Sequence, residues 1–360
     1  MSRETTQHAA LEKRAVRSRE SHQARTRASV PHDPALAGLA LLRRPQMFAE
    51  VLTPLLRGRF GNDMRLEETY RSVRRHVPGK RCIVKVEVRL RSAPGAPVEQ
   101  HCLVAKCYAT NHGAKVYENC QQLWHRGFSI GDLRIAEPIA YHPRWQVLFL
   151  GWESGRTLGD FLMADENVGP AMEGAALWLL KLHACRYREG RIYGYERHFH
   201  TLELWERNLK RTHRGVGVVF GDICTRIRKK LAQCKKGQQA PTHRDFSPEH
   251  LVVEQDRFVG LDFDEFCQYD PLFDVAHFIA HLRFLALTAF GAIDYLDPDA
   301  THFESAYASE SASFSLARTR LLTAIAFLKL AYLAVAVRRM KHGKRIAFKL
   351  LEEAHRCTNL

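Results

Sequence analysis

Three side chains in one short stretch could do chemistry together. Asp245 follows a basic pair in Thr242-His243-Arg244-Asp245, and His250 stands just ahead of the apolar run Leu251-Val252-Val253. A second apolar run, Val259-Gly260-Leu261, ends at Asp262. Two short strands joined by the turn Glu254-Gln255-Asp256-Arg257 would bring Asp245, His250 and Asp262 to one end of a hairpin. Phosphoryl transfer needs such a set: a carboxylate to orient an acceptor hydroxyl, and ligands for a magnesium ion that bridges nucleotide phosphates. Asp245 is the candidate for the first role, either as proton acceptor or as orienting group. Asp262 is the candidate metal ligand, because magnesium prefers hard carboxylate oxygens. Asp264 competes for that role, but Asp262 stands nearer the strand end.

The elements that must hold these groups are legible in the apolar spacing. Val84, Val86, Val88 and Leu90 alternate with Lys85, Glu87 and Arg89, the period of a half-buried strand. Ser92 to Pro97 reads as a hairpin connection, and His101 to Tyr108 as the return strand, with Lys106 inside it. A helix from about Ala114 to His125 carries Glu118 and an apolar face of Val116, Cys120, Leu123 and Trp124. Gln146 to Glu153 is an apolar strand that runs through Trp152 and Glu153 into a polar turn, followed by a helix near Pro170 to Ala184 in which His183 is a packing residue. Residues 186–240 read as irregular and basic, with helical pieces around 200–212 and 219–234. Asp274 precedes an apolar helix and suits its N-cap. Helices near 314–339 and 343–356 close the chain.

Composition bounds the class. The 360 residues allow one large domain or two lobes. A net charge of +15 admits an anionic substrate, nucleic acid or a membrane surface as partner. No stretch interleaves basic residues with aromatics as a nucleic-acid platform would, so the charge reads as a solvated basic surface, and nucleic acid is not expected as a partner. Nine cysteines without a Cys-x-x-Cys pair read as reduced thiols of a cytoplasmic protein. No apolar segment follows the N-terminus as in a signal peptide, and residues 1–34 read as a disordered basic tail. The run Leu321 to Val337 contains Lys329 and reads as a buried helix too short for a membrane span. Residues 35–76 hold short amphipathic pieces such as Pro45 to Leu56.

His243-Arg244-Asp245 with Asp262-Phe263 resembles the catalytic loop and metal motif of the protein-kinase-like superfamily. The wider run to Asp270-Pro271-Leu272-Phe273-Asp274-Val275-Ala276 resembles the aminoglycoside phosphotransferase branch. The resemblance is strong over 242–282 and weaker over 80–185. It implies an α+β, two-lobed protein-kinase-like fold: an N-lobe over 35–150 of mixed β/α structure and a mainly helical C-lobe over 151–360. It implies ATP and Mg as cofactors and a small-molecule acceptor as partner. Lys106 would touch the nucleotide phosphates and pair with Glu118, and the backbone near Gly151, Trp152 and Glu153 would meet an adenine edge. In the family the residue at Asp274 also braces the catalytic loop, and C-terminal acids help bind the acceptor; here Asp294, Asp297, Asp299, Glu304 and Glu310 read equally as a solvated acidic segment.

Two departures are plain. No glycine triad precedes the first strands, and Pro78-Gly79-Lys80-Arg81 is the only candidate turn over the phosphates. The kinase-like pattern has Asn where this chain has His250, and imidazole serves transition metals better than magnesium. The implied activity is ATP-dependent phosphorylation of a hydroxyl on a small molecule such as a sugar, amino alcohol or aminoglycoside-like compound. The alternative is a nucleotide-binding pseudoenzyme with a regulatory or scaffolding role.

Overall fold

A computed structural model describes residues 30–164, 166–235 and 237–359. The described chain forms two compact units. The first runs up to Gln121 and resumes from Ala136 to Glu153; the second takes Gln122–Ile135 and everything from Ser154 on.

In the first unit, helices α1 (Ala37–Leu42) and α2 (Pro45–Phe60) precede strands β1 (Arg65–Val77), β2 (Arg81–Arg91) and β3 (Glu99–Tyr108) and helix α3 (His112–Leu123). After β4 (Leu133–Ile135), which belongs to the second unit, come β5 (Pro138–His142) and β6 (Val147–Gly151). The sheet order is β1-β2-β3-β6-β5, all neighbours antiparallel. The expected alternation is present: Val84, Val86, Val88 and Leu90 are fully buried, and with Leu39, Phe48, Leu52 and Phe149 they form the unit's core. Gly38 lets α1 press onto the sheet, because a Cβ there would stand 2.4 Å from a Val147 methyl.

The region read as short amphipathic pieces contains the 13-residue strand β1, which the sequence did not show. It is an edge strand whose residues are mostly half-exposed on both faces, so no apolar alternation marks it. Most of the expected disordered tail, residues 1–29, lies outside the described residues. Its last part does not: Asp33 accepts hydrogen bonds from the amides of Ala35 (3.1 Å) and Gly79 (2.8 Å) and pairs with His76 (2.9 Å). These bonds fasten the chain to the β1–β2 turn.

The second unit holds β4, β7 (Arg156–Thr157), α4 (Leu158–Met163), α5 (Gly169–Ala184), α6 (Tyr195–Thr212), α7 (Arg214–Gln233), β8 (Ala240–Thr242), β9 (Leu251–Glu254), β10 (Arg257–Gly260) and β11 (Cys267–Tyr269). Four helices follow: α8 (Leu272–Leu285), α9 (Asp297–Glu310), α10 (Leu316–Tyr332) and α11 (Gly343–Cys357). The basic stretch 186–240 is mostly helical, and the helical pieces expected around 200–212 and 219–234 fall on α6 and α7, which are longer than expected. Its charges line the wet faces of α6 and α7, whose apolar stripes (Phe199, Leu202, Leu209; Phe220, Ile227, Leu231) are buried.

Among the described residues, two helical spans are long and apolar enough to cross a membrane, Leu272–Phe290 and Leu316–Val337. The second is 22 residues, so length does not exclude it as the sequence suggested. Burial separates it from a membrane span: about two thirds of each helix window is covered by the unit itself (61% and 67%), as in core helices of a folded domain. Lys329 sits inside this covered helix.

Candidate active site

The site grows from three connected pieces of the second unit. Strand β8 pairs with β11 and delivers the loop 243–247; the hairpin of β9 and β10 delivers His250 at one end and Asp262 just past the other. The hairpin predicted from the sequence is present, with Leu251 opposite Gly260. Its end is fixed by the Leu261 amide, which donates to the His250 carbonyl at 2.9 Å.

Close packing under β10 sets where Asp262 starts. Trp178 of α5 lies against Gly260, where a Cβ would fall 2.1 Å from the indole, and Phe258 lies against Gly174 in the same way at 2.0 Å. Trp178 stacks on Phe246 of the loop (centroids 5.3 Å, 6° between planes) and donates its Nε1–H to the Arg134 carbonyl at 2.7 Å. Asp262 adopts the left-handed conformation (φ 62°, ψ 64°), which Asp tolerates better than most non-glycine residues and which turns the chain after β10.

His243 ties the two acidic loops together. Its Nε2 lies 2.8 Å from the Leu261 carbonyl, which can only accept, so Nε2 carries the proton and Nδ1 accepts the Asp245 amide at 3.4 Å. Burial lowers the pKa of this ring, keeping it neutral.

Asp274 is fully buried in the first turn of α8, but it does not cap that helix. Pro271 holds the N-cap position, and the Asp274 carboxylate turns to the loop 243–247 instead. It accepts the amides of His243 (2.7 Å) and Arg244 (2.6 Å) and lies 3.1 Å from Nε2 of His183. His183 in turn has Nδ1 2.8 Å from the Tyr307 hydroxyl, so it is a bracing residue within the core. Arg244 has a left-handed backbone (φ 66°), and its guanidinium lies over Tyr193 and bonds Glu265 at 2.8 Å.

Asp245 is reached from three sides. Lys329 Nζ donates to its Oδ1 at 2.6 Å, His277 Nε2 is 3.5 Å from the same oxygen, and His250 Nδ1 is 3.9 Å from Oδ2. Desolvation would raise the carboxyl's pKa; the Lys329 ammonium, through its charge and its hydrogen bond, leads the opposing influences and holds the group well below the ordinary carboxylate range. The side chain remains 31% exposed, so one oxygen is clamped while the group still faces solvent.

His250 is oriented as a ligand. Its Nδ1 is 2.7 Å from the Asp245 carbonyl and must donate to it, which leaves the lone pair of the neutral ring on Nε2. Nε2 faces Asp262 Oδ2 at 3.7 Å. An imidazole whose other nitrogen is held by a carbonyl, beside a carboxylate, is a donor pair one cation can share. The Asp262 oxygens suit magnesium; the His250 nitrogen suits a transition metal better.

The residues expected to meet a nucleotide lie in the first unit. Lys106 is buried on β3, between Ile83 of β2 and Leu148 of β6, with its Nζ 5.6 Å from the Tyr108 ring centre. Glu118 on α3 is half-exposed and bonds Lys115 one turn back at 2.8 Å. Trp152 has Lys85 (4.8 Å) and Arg74 (5.3 Å) over its ring. The amide of Gly151 donates to Glu137 O (2.8 Å) and that of Trp152 to Cys102 O (3.4 Å), so an adenine edge could not take these two donors without displacing those bonds. Glu153 follows at the end of the unit. The Gly79 amide of the candidate phosphate turn is likewise committed, to Asp33.

The sequence profile of the phosphotransferase enzyme family matches residues 106–302, more than half of the chain. The chain belongs to that family. As a phosphotransferase-family member it shares its fold with proteins of low identity. It is similar to a thermostable mutant of aminoglycoside phosphotransferase APH(4)-Ia, with 14% identity and a TM-score of 0.58 over 85% of this chain and 97% of that one. The choline/ethanolamine kinase family protein from Mesorhizobium loti matches at 14% identity and TM-score 0.54 over 76% and 85%. An ethanolamine kinase of Plasmodium vivax matches at 10% and 0.53 over 88% and 86%. These structural matches, at identities too low to show more, establish the α+β, protein-kinase-like fold. No curated protein matches the sequence.

Sequence reasoning missed His277 and Lys329, the two groups that hold Asp245. The signal for Lys329 was present: a single ammonium inside the apolar run Leu321 to Val337 is costly to bury unpaired.

Proposed function

We propose that this chain is an ATP-dependent small-molecule kinase that transfers the γ-phosphoryl group to an acceptor hydroxyl, with magnesium or another divalent metal as cofactor. The observation that carries the reading is the joining of Asp245 and Asp262 by His243 and His250, in a member of the phosphotransferase enzyme family.

Asp245 binds the acceptor hydroxyl through Oδ2 and aims its oxygen. A carboxylate held this far below its usual pKa is a weak base, so its first task is orientation. The acceptor oxygen forms its bond to the γ-phosphorus as the bridging P–O bond breaks, and ADP leaves with that electron pair. The hydroxyl proton passes late to Asp245 and then to water, which suits a loose transition state with little demand for a strong base. Asp262, with His250, would hold the divalent metal, which when bound neutralises phosphate charge. Lys106 is the proposed phosphate contact, Glu118 its proposed support, and Trp152 and Glu153 the proposed neighbours of the adenine.

Calorimetric titration of ATP, with and without magnesium and beside Asp262→Asn, tests the reading. Metal-dependent binding that the substitution abolishes is the expected result. Binding indifferent to both would favour a nucleotide-binding protein without catalysis, and no binding would refute the kinase reading.

A further inference from the structure

We propose that Lys329 is a positioning residue of the transfer site. The inference rests on the phosphotransferase reading above and adds a residue to its site.

Lys329 lies in α10 among Phe327, Leu328, Leu330 and Ala331, all fully buried. An ammonium there is tolerated only with partners that compensate its charge. It has two. One is Asp245 Oδ1 at 2.6 Å; the other is His277 Nε2 at 3.0 Å. The role of His277 is fixed by its other nitrogen. Nδ1 is 2.9 Å from the Phe246 carbonyl and must donate to it, so Nε2 bears the lone pair and accepts from Lys329. Phe246 is the residue after Asp245, so the imidazole grips the catalytic loop while it grips the ammonium. This two-point hold fixes Nζ, and through it the plane of the carboxylate. Oδ2 has no hydrogen-bond partner among the described residues and is the oxygen left for an incoming hydroxyl.

His281, one turn along α8, packs against His277 with ring centres 4.4 Å apart and backs the imidazole that holds Lys329.

Slow ATP hydrolysis, with water as acceptor, tests Lys329 without knowledge of the substrate. Lys329→Met, which keeps the side chain's length, is compared with Lys329→Arg, Asp245→Asn and the unaltered protein. Calorimetric Kd for ATP and melting temperature are measured alongside. Lys329→Met should lower the turnover number at least tenfold with KM and Kd for ATP within twofold, and Lys329→Arg should recover part of the loss. Turnover of Lys329→Met less than tenfold below that of the unaltered protein overturns the proposal. So does a protein that binds ATP and hydrolyses none. A protein that binds no ATP refutes the kinase reading first, a distinguishable outcome.

Discussion

Arg244 adopts a left-handed backbone immediately before Asp245, and the reason lies 30 residues along the chain. Both oxygens of Asp274 take consecutive amides of the loop, which pins a conformation that would otherwise cost about 1 kcal/mol. Asp274→Ala leaves two N–H groups without acceptors in a buried site. We expect a loss of about 3 kcal/mol or more in urea unfolding at 25 °C, since each buried orphan costs roughly 1–3 kcal/mol. At His250 the expectation concerns metal choice. With Nε2 as donor, the protein should bind ATP more tightly with Mn²⁺ than with Mg²⁺, and His250→Asn, which supplies a hard oxygen, should shift the preference toward Mg²⁺. Calorimetry with each metal reads the difference; equal affinities in both proteins would remove His250 from the metal site.

At the scale of elements, the contact between α5 and β10 fixes where Asp262 begins. Gly174 has no room for a methyl group against Phe258, so Gly174→Ala must move the strand or the helix. Overpacking of this kind costs about 1–3 kcal/mol, and a fall in melting temperature together with a weaker metal-dependent ATP affinity would report both the strain and its route to Asp262. Unchanged ATP affinity in a destabilised protein would separate packing from site geometry. The hairpin β9–β10 was legible because two short apolar runs flank a polar turn, and β2 because its alternation survives on a half-buried face. Strand β1 was not, since an edge strand wet on both faces carries no period. Asp274 was placed at its helix with a cap as its natural role, but the brace on the loop that the resemblance implied is the role its hydrogen bonds show, because an acid near a helix start fits the cap as well as the loop. The pairing of Lys329 with Asp245 spans 84 residues, and no local pattern encodes it; only the oddity of a charge in an apolar run pointed there.

For the whole molecule, the thiols distinguish a folded core from an incidental scatter of cysteines. All nine are free, and six are buried. Burial pushes Cys82, Cys224 and Cys357 up to about 11 and Cys267 up to about 12, and it raises Cys107 further. At pH 8 a thiol with a pKa near 11 is only about one part in a thousand thiolate, and the thiolate is the reacting form. These groups span both units, so their protection reports the integrity of each. Titration of the native protein with an aromatic disulfide reagent at pH 8 should therefore show a fast phase confined to the partly exposed Cys102 and Cys234, with the rest released on denaturation. As the pH is raised toward 11, the protected thiols should begin to react through their rising thiolate fraction, to the extent that the fold admits the reagent. Nine fast thiols at pH 8 would mean that neither unit holds its core closed, and the distances on which Asp245, His250 and Lys329 depend would not persist in solution.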